Sequence, residues 1–224
     1  MSTLRVNTIK SLNESAGNPL TIDDSLVSSG SSVTNDGTDA QAIAFGQDNS
    51  TTGIAAVSLA GRFNTASSYA ATLAGDSCKA SAFNAVAMGK GTEALKESSF
   101  AHGRDTVASA SYSHAEGRST LVSGDYSHTE GYQTTASGDY SHAEGLHTIA
   151  AGEYQHVQGK YNIQDTSTNT LMIIGNGTSN GSRSNLAKFT TGSIILDTGS
   201  LPASDPNSVG QLWRDGTDLK ISLG

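Results

Sequence analysis

A single cysteine, Cys78, leaves this 224-residue chain unable to form an intrachain disulfide, so no disulfide framework can stand in for a core. Proline is nearly as scarce, with 3 residues, which argues against a Pro-rich disordered segment. Aromatic residues make up 6%, and Trp213 is the only tryptophan, poor support for the aromatic platforms of a polysaccharide-cleaving groove. Charged residues reach only 15%, with a net charge of −8. That balance excludes nucleic acid as an expected partner, because phosphate backbones are met by clustered Lys and Arg. It suits solubility and repulsion between finished particles. No apolar run approaches the roughly 18 residues of a membrane span, so no membrane insertion is expected. The opening MSTLRVNTIKSLNESAG has no apolar h-region and no cleavage site. The expectation is a chain made and folded in the cytoplasm.

What the sequence does have is small residues. Glycine numbers 25, Ser and Thr are spread throughout, and Ala carries much of the 35% hydrophobic share. A compact globule of this length normally buries larger apolar side chains to offset the entropy of ordering its backbone. The composition instead suits an extended solenoid whose thin core is filled by small residues and completed by neighbouring subunits.

The glycines are periodic. Gly61, Gly75, Gly89, Gly103, Gly117, Gly131, Gly145 and Gly159 fall 14 residues apart, and Gly46 precedes Gly61 by 15. The later units are close copies: SYSHAEG (111–117), DYSHTEG (125–131), DYSHAEG (139–145) and EYQHVQG (153–159). Midway lie Gly124, Gly138 and Gly152, with Ser68, Ala82 and Ala110 at the same phase earlier. The spacing predicts two extended segments of about five residues per unit, each ending in a tight turn at a small residue. A helix would carry Gly at every seventh position, at about 1 kcal/mol each relative to Ala, and lacks apolar positions at 3.6 spacing.

Alternation with a period of two is present instead. Four and two residues before each unit glycine stand Val57/Leu59, Ala71/Leu73, Ala85/Ala87, Ser99/Ala101, Ser113/Ala115, Ser127/Thr129 and Ser141/Ala143. Three residues and one residue before it stand Val86/Met88, Phe100/His102, His114/Glu116, His128/Glu130, His142/Glu144 and His156/Gln158. The two sets point to opposite sides of the sheet. The small set is expected inside the coil, and the large set is expected to meet another chain. A roll this narrow is marginal alone, and symmetry mates are the natural cover for its second face.

The alternating small-x-small-x-Gly strand on a 14-residue unit, as in NAVAMG (84–89), resembles the head repeats of trimeric autotransporter adhesins. The GDYSHAEG joints resemble SHAEG-type repeats in tail and fibre proteins of phages. The resemblance implies an all-β fold, a left-handed parallel β-roll or β-solenoid assembled as a homotrimer. It covers about residues 41–160. Residues 161–200 leave the repeat with a strand at LMIIG (171–175), a loop, and a second strand around Phe189 and Ile194–Leu196. Residues 201–224 resemble the closing motif of phage tail and fibre chains. They read as a β-hairpin with strand 210–214, a turn at Asp215-Gly216 and strand 219–223. Trp213 in that hairpin is assigned to capping the end of the roll, with carbohydrate stacking as the alternative. Residues 1–40 resemble phage-fibre N-termini, with short strands at 4–11 and 18–22, and are assigned to docking on the virion.

Several groups have the letters of chemistry. Ser113-His114-x-Glu116 and its copies contain a Ser-His-Glu set, but neighbours on one strand point to opposite faces, so no hydroxyl-to-imidazole bond forms. No catalytic residue and no cofactor is expected. His114, His128, His142 and His156 form a column one coil apart, with Glu116, Glu130 and Glu144 alongside. Around a threefold axis these would gather three His and three Glu per layer. Hydrogen bonding in the core is the preferred reading of that ladder; an axial metal and exposure on the outside are the alternatives. Tyr112, Tyr126, Tyr140 and Tyr154 form a second column, read as rings shielding the turns or as a glycan-binding stripe. GNGTSNG (175–181) lacks a following helix pattern and is read as a loop rather than a phosphate cradle.

Three function classes remain. The first is a non-enzymatic structural or adsorption component of a phage virion, binding other virion proteins and a glycan or protein receptor on the host surface. The second is the head of a trimeric bacterial adhesin, whose export signal, coiled-coil stalk and membrane anchor these residues do not contain. The third is a polysaccharide-degrading or self-processing tailspike module.

Overall fold

The computed structural model describes residues 43–44, 46–52, 56–69, 72–216 and 218–224. The chain divides into two compact units, 1–116 and 117–224, with the division inside the strand His114–Arg118. The described part of each unit contains parallel β-solenoid coils. Among the described residues there is no α-helix, only a 3-10 turn at Thr198–Ser200, and no helix long and apolar enough to cross a membrane. The strands expected at 4–11 and 18–22, and the docking segment they belong to, lie outside the described residues.

In the first unit, Val57–Arg62, Thr72–Asp76, Val86–Lys90 and Phe100–Arg104 pair in sequence as parallel neighbours. Glu93–Ala94 and Val107–Ala108 pair likewise on the opposite wall. In the second unit, His128–Thr129, His142–Ala143 and His156–Lys160 form one wall. Leu121–Val122, Thr135–Ala136 and Ile149–Ala150 form the other. Partners such as Val86 and Phe100, or His142 and His156, stand 14 residues apart, so the glycine spacing is the length of one coil.

The second segment of each coil is a two-residue strand, shorter than the five residues expected from sequence. Corners take up the difference. The coils turn through the left-handed backbone region at positions seven apart, and apart from Gly91 (φ 62°) the described residues there are not glycine: Tyr126 (φ 57°) and Gln133 (φ 53°), then Tyr140 (φ 55°) and His147 (φ 54°). The small residues therefore act differently from the expectation. Gly131 and Gly145 do adopt positive φ, at 102° and 104°. Gly124 and Gly138 do not, and are needed for close approach instead. A Cβ on Gly124 would overlap the Gly138 carbonyl oxygen, and one on Gly138 the Gly152 carbonyl oxygen.

The small face lines the interior, as expected. Ser99, Ala101, Ser113 and Ala115 in the first unit are buried, as are Ser127, Thr129, Ser141 and Ala143 in the second. They face a column on the opposite wall: Ala66, Ala80, Ala94 and Ala108 in one unit, Val122, Ala136 and Ala150 in the other. A further buried column, three residues after each unit glycine, holds Asn64, Cys78, Thr92 and Thr106, then Thr120, Thr134, Thr148 and Asn162. Asn64 shows why a polar residue fits there. Its Nδ2 donates to the Ala60 and Gly75 carbonyls at 2.9 and 2.7 Å, and its Oδ1 accepts from the Cys78 N–H at 2.9 Å.

Leu59 corrects the sequence reading. Expected inside together with Val57, it is 53% exposed and Val57 is only partly buried, while Ala56 and Ser58 are buried. The register shifts between Ser58 and Ala60, which pair with Leu73 and Ala74. Leu59 is the extra residue of a β-bulge, which explains the 15-residue step before Gly61 and reverses the inward phase there.

Beyond the repeat, Thr170–Asn176 pairs in parallel with His156–Lys160 and antiparallel with Asn185–Thr190. The latter pairs antiparallel with Ile194–Leu196. The single strand expected around Phe189 and Ile194–Leu196 is thus two. The turn between them is closed by the Thr190 N–H donating to the Ser193 carbonyl at 2.8 Å. The C-terminal hairpin is present, with Leu212–Asp215 against Asp218–Ile221 and Trp213 opposite Lys220. Gly216 (φ 61°) opens its two-residue connection, the position that favours glycine in such turns.

Candidate functional site

The outward face of the repeat carries the candidate residues, because alternation puts every second side chain there once Ser and Ala fill the interior. Ser113 illustrates the division. It is buried, and its Oγ donates to the Ala110 carbonyl at 2.6 Å, while the neighbouring His114 side chain lies on the other face. The Ser-His-Glu letters therefore do not assemble into a triad, as the strand geometry implied.

In the second unit the histidines stack. His128 and His142 have ring centroids 4.7 Å apart at 20°, and His142 and His156 are 4.8 Å apart at 24°. The Nε2–H of His156 donates to Glu144 Oε1 on the preceding coil at 3.3 Å. In the first unit, the His114 ring packs on Phe100 at 4.8 Å, and its Nε2 lies 3.7 Å from Glu116 Oε2 on the same strand. These side chains are half-buried on a single chain. Burial lowers the pKa of the His142 imidazole, an effect that neighbouring His128 and His156 reinforce and Glu144 and Glu130 oppose. One atom each from Glu130, His142 and Glu144 falls within 4.8 Å of the other two.

The tyrosines occupy the left-handed corner. Tyr126 stacks on Tyr140 at 5.0 Å and 1°, and Tyr140 on Tyr154 at 5.3 Å and 17°. All three are about half exposed. In the first unit, the Tyr112 hydroxyl donates to Glu97 Oε1 at 3.2 Å. A hydrogen bond to Glu153 raises the Tyr154 pKa, with the Glu153 charge adding to it.

A second aromatic edge was not singled out from sequence. Tyr132 meets His147 edge-on at 5.5 Å, and His147 stacks on Tyr161 at 4.6 Å and 14°. The guanidinium groups of Arg118 and Arg183 lie 5.4 and 6.0 Å from the Tyr132 and Tyr161 rings. The available signal was the aromatic or imidazole one or two residues after each late unit glycine. Arg183 also ties down the 175–181 loop, donating to the His147 carbonyl at 2.9 Å and to Asn180 Oδ1 at 2.7 Å. A strand follows that loop, so the sequence reading against a helix-based anion site holds. Compared with family models, curated proteins and solved structures, the chain matches none.

Proposed function

We propose that this chain is a structural or adsorption component of a phage virion, a non-enzymatic fibre protein whose left-handed β-roll assembles as a homotrimer. The observation that carries the reading is the division of each coil into two unequal faces. The interior is closed by Ala, Ser and Thr, with no room for a large core, while Val86, Phe100, His128 and His142 remain partly exposed on one chain. Cover by symmetry mates would remove that surface from water, and a closed trimer leaves each copy in the same environment. Residues 1–40 dock on other virion proteins, and the hairpin around Trp213 covers the last part of the roll. The tyrosine edge is the surface offered to a glycan or protein on the host.

The test is location and stoichiometry. Antibody-labelled electron microscopy of purified particles should place the protein on the virion, and sedimentation equilibrium should give three chains. A stable, well-folded monomer would sink the trimer. Finding the protein on a bacterial surface and on no particle would transfer it to the adhesin-head reading.

A further inference from the structure

His142 and Glu144 stand two residues apart on an extended segment, so their side chains share one face. Glu130 occupies the same position as Glu144 one coil earlier. The Glu130 N–H donates to the Ala143 carbonyl at 3.0 Å, and the Glu144 N–H to the Val157 carbonyl at 2.9 Å, which holds both backbones in register. The three side chains bring an imidazole nitrogen and two carboxylate oxygens within 4.8 Å of one another.

Two features of this cluster ask for a positive ligand. Glu130 and Glu144, which directly follow the strands His128–Thr129 and His142–Ala143, bring two carboxylates of like charge to the same imidazole, and like charges so placed repel. His142 Nε2 is closed off from solvent and has no hydrogen-bond partner among the described residues. A buried nitrogen without a partner is costly, and a lone pair there is what a metal ion takes.

From this geometry we propose that Glu130, His142 and Glu144 bind one divalent cation of the zinc class. One imidazole nitrogen with two carboxylate oxygens suits a borderline ion better than calcium or magnesium, which prefer oxygen throughout. Donors held about 2 Å from a common ion stand roughly 3–4 Å apart, so the site closes by about an ångström of glutamate side-chain rotation. The stacked His128 and His156 rings fix the imidazole plane while the glutamates move. His156 also donates to Glu144, the kind of outer hydrogen bond that orients a ligating carboxylate. Water fills the remaining coordination positions. The site lies within one chain and does not depend on the trimer or on the virion reading.

The experiment uses full-length protein without an affinity tag, stripped with chelator and titrated with Co2+, then with Zn2+ as competitor. Visible Co2+ absorption should rise to saturation and be bleached by Zn2+. His142→Asn and Glu130→Gln should each weaken the affinity by at least tenfold, while His102→Asn, outside the cluster, should leave it unchanged. Glu130 is a partly exposed side chain whose amide analogue keeps its shape, so this variant reports even if the His142 change perturbs packing. No saturable Co2+ signal, or one that both cluster variants leave intact, would overturn the proposal.

Discussion

Tyr126 and Tyr140, one coil apart, stack with ring centroids 5.0 Å apart and planes within 1° of parallel, and both backbones are in the left-handed region. The two facts oppose each other energetically. Stacking contributes about 0.5–1.5 kcal/mol beyond burial. Holding an L-residue in that conformation costs roughly 1–2 kcal/mol. Tyr140→Ala should therefore lose the stacking and keep the strain, whereas Tyr140→Gly should lose the stacking and relieve the strain. Urea denaturation should rank the glycine variant at least as stable as the alanine one, despite glycine's greater freedom when unfolded. An alanine variant clearly more stable than glycine would show that the corner is not left-handed.

The unit glycines should be intolerant for a reason that ordinary surface glycines lack. Gly131 has φ 102°, and a Cβ there would overlap the Gly145 carbonyl oxygen, which is backbone and cannot swing away. Gly181 has nothing within 4 Å of its virtual Cβ. Gly131→Ala should cost more than about 2 kcal/mol, from strain and displaced coil contacts together. Gly181→Ala should stay within about 0.5 kcal/mol of the parent. Equal effects would remove coil-to-coil contact as the origin of the repeat.

Interior volume can be probed at Ala143, fully buried and paired with Thr129 and Val157 in the neighbouring coils. Ala143→Phe adds a ring where the opposite wall offers Ala136 and Ala150, themselves fully buried. Overpacking should cost about 1–3 kcal/mol or more, read as a lower melting temperature. An unchanged melting temperature would place Ala143 on the outside.

Much of this fold was legible because a solenoid writes its geometry into the sequence once per coil. The 14-residue glycine period and the alternation around it gave the coil length and the inward face. Leu59 escaped because a bulge reverses phase without leaving a residue-type signature, its only trace being the 15-residue step from Gly46 to Gly61. The buried column through Asn64, Cys78, Thr92 and Thr106 escaped because Asn and Thr look like loop residues, whereas Asn64 bonds to the neighbouring coil and the Thr92 and Thr106 hydroxyls pack in the interior with no hydrogen-bond partner among the described residues. The corners were half legible: Gly145 marks a left-handed position, but Tyr140 and His147 adopt that conformation against their own preference. Of the candidate site, the columns were visible in sequence. That Glu130, His142 and Glu144 converge was not, since convergence depends on which rotamers the stacked rings allow.

Asp165 gives the region after the repeat a specific acid sensitivity. Burial alone would raise its pKa, but the Ser167 N–H at 2.9 Å, the Lys188 ammonium at 3.0 Å and the Thr170 hydroxyl at 2.8 Å outweigh it. The net effect holds the carboxyl below the usual carboxylate range. A depressed folded value contributes stability that is complete above the unfolded value of about 3.9 and is lost as pH falls through the folded one. Asp165 therefore stabilises fully at neutral pH and begins to lose that contribution as pH falls below about 4. Asp165→Asn keeps the shape and loses the charge, so it should cost about 1–3 kcal/mol at pH 7, the range for hydrogen bonds to charged groups. The melting-temperature gap between parent and variant should hold from pH 7 down to about pH 4 and narrow from there toward pH 2. A gap that stays constant across that range would mean that Asp165 acts through its shape and neutral hydrogen bonds, and that its charge contributes nothing to holding Lys188 in place.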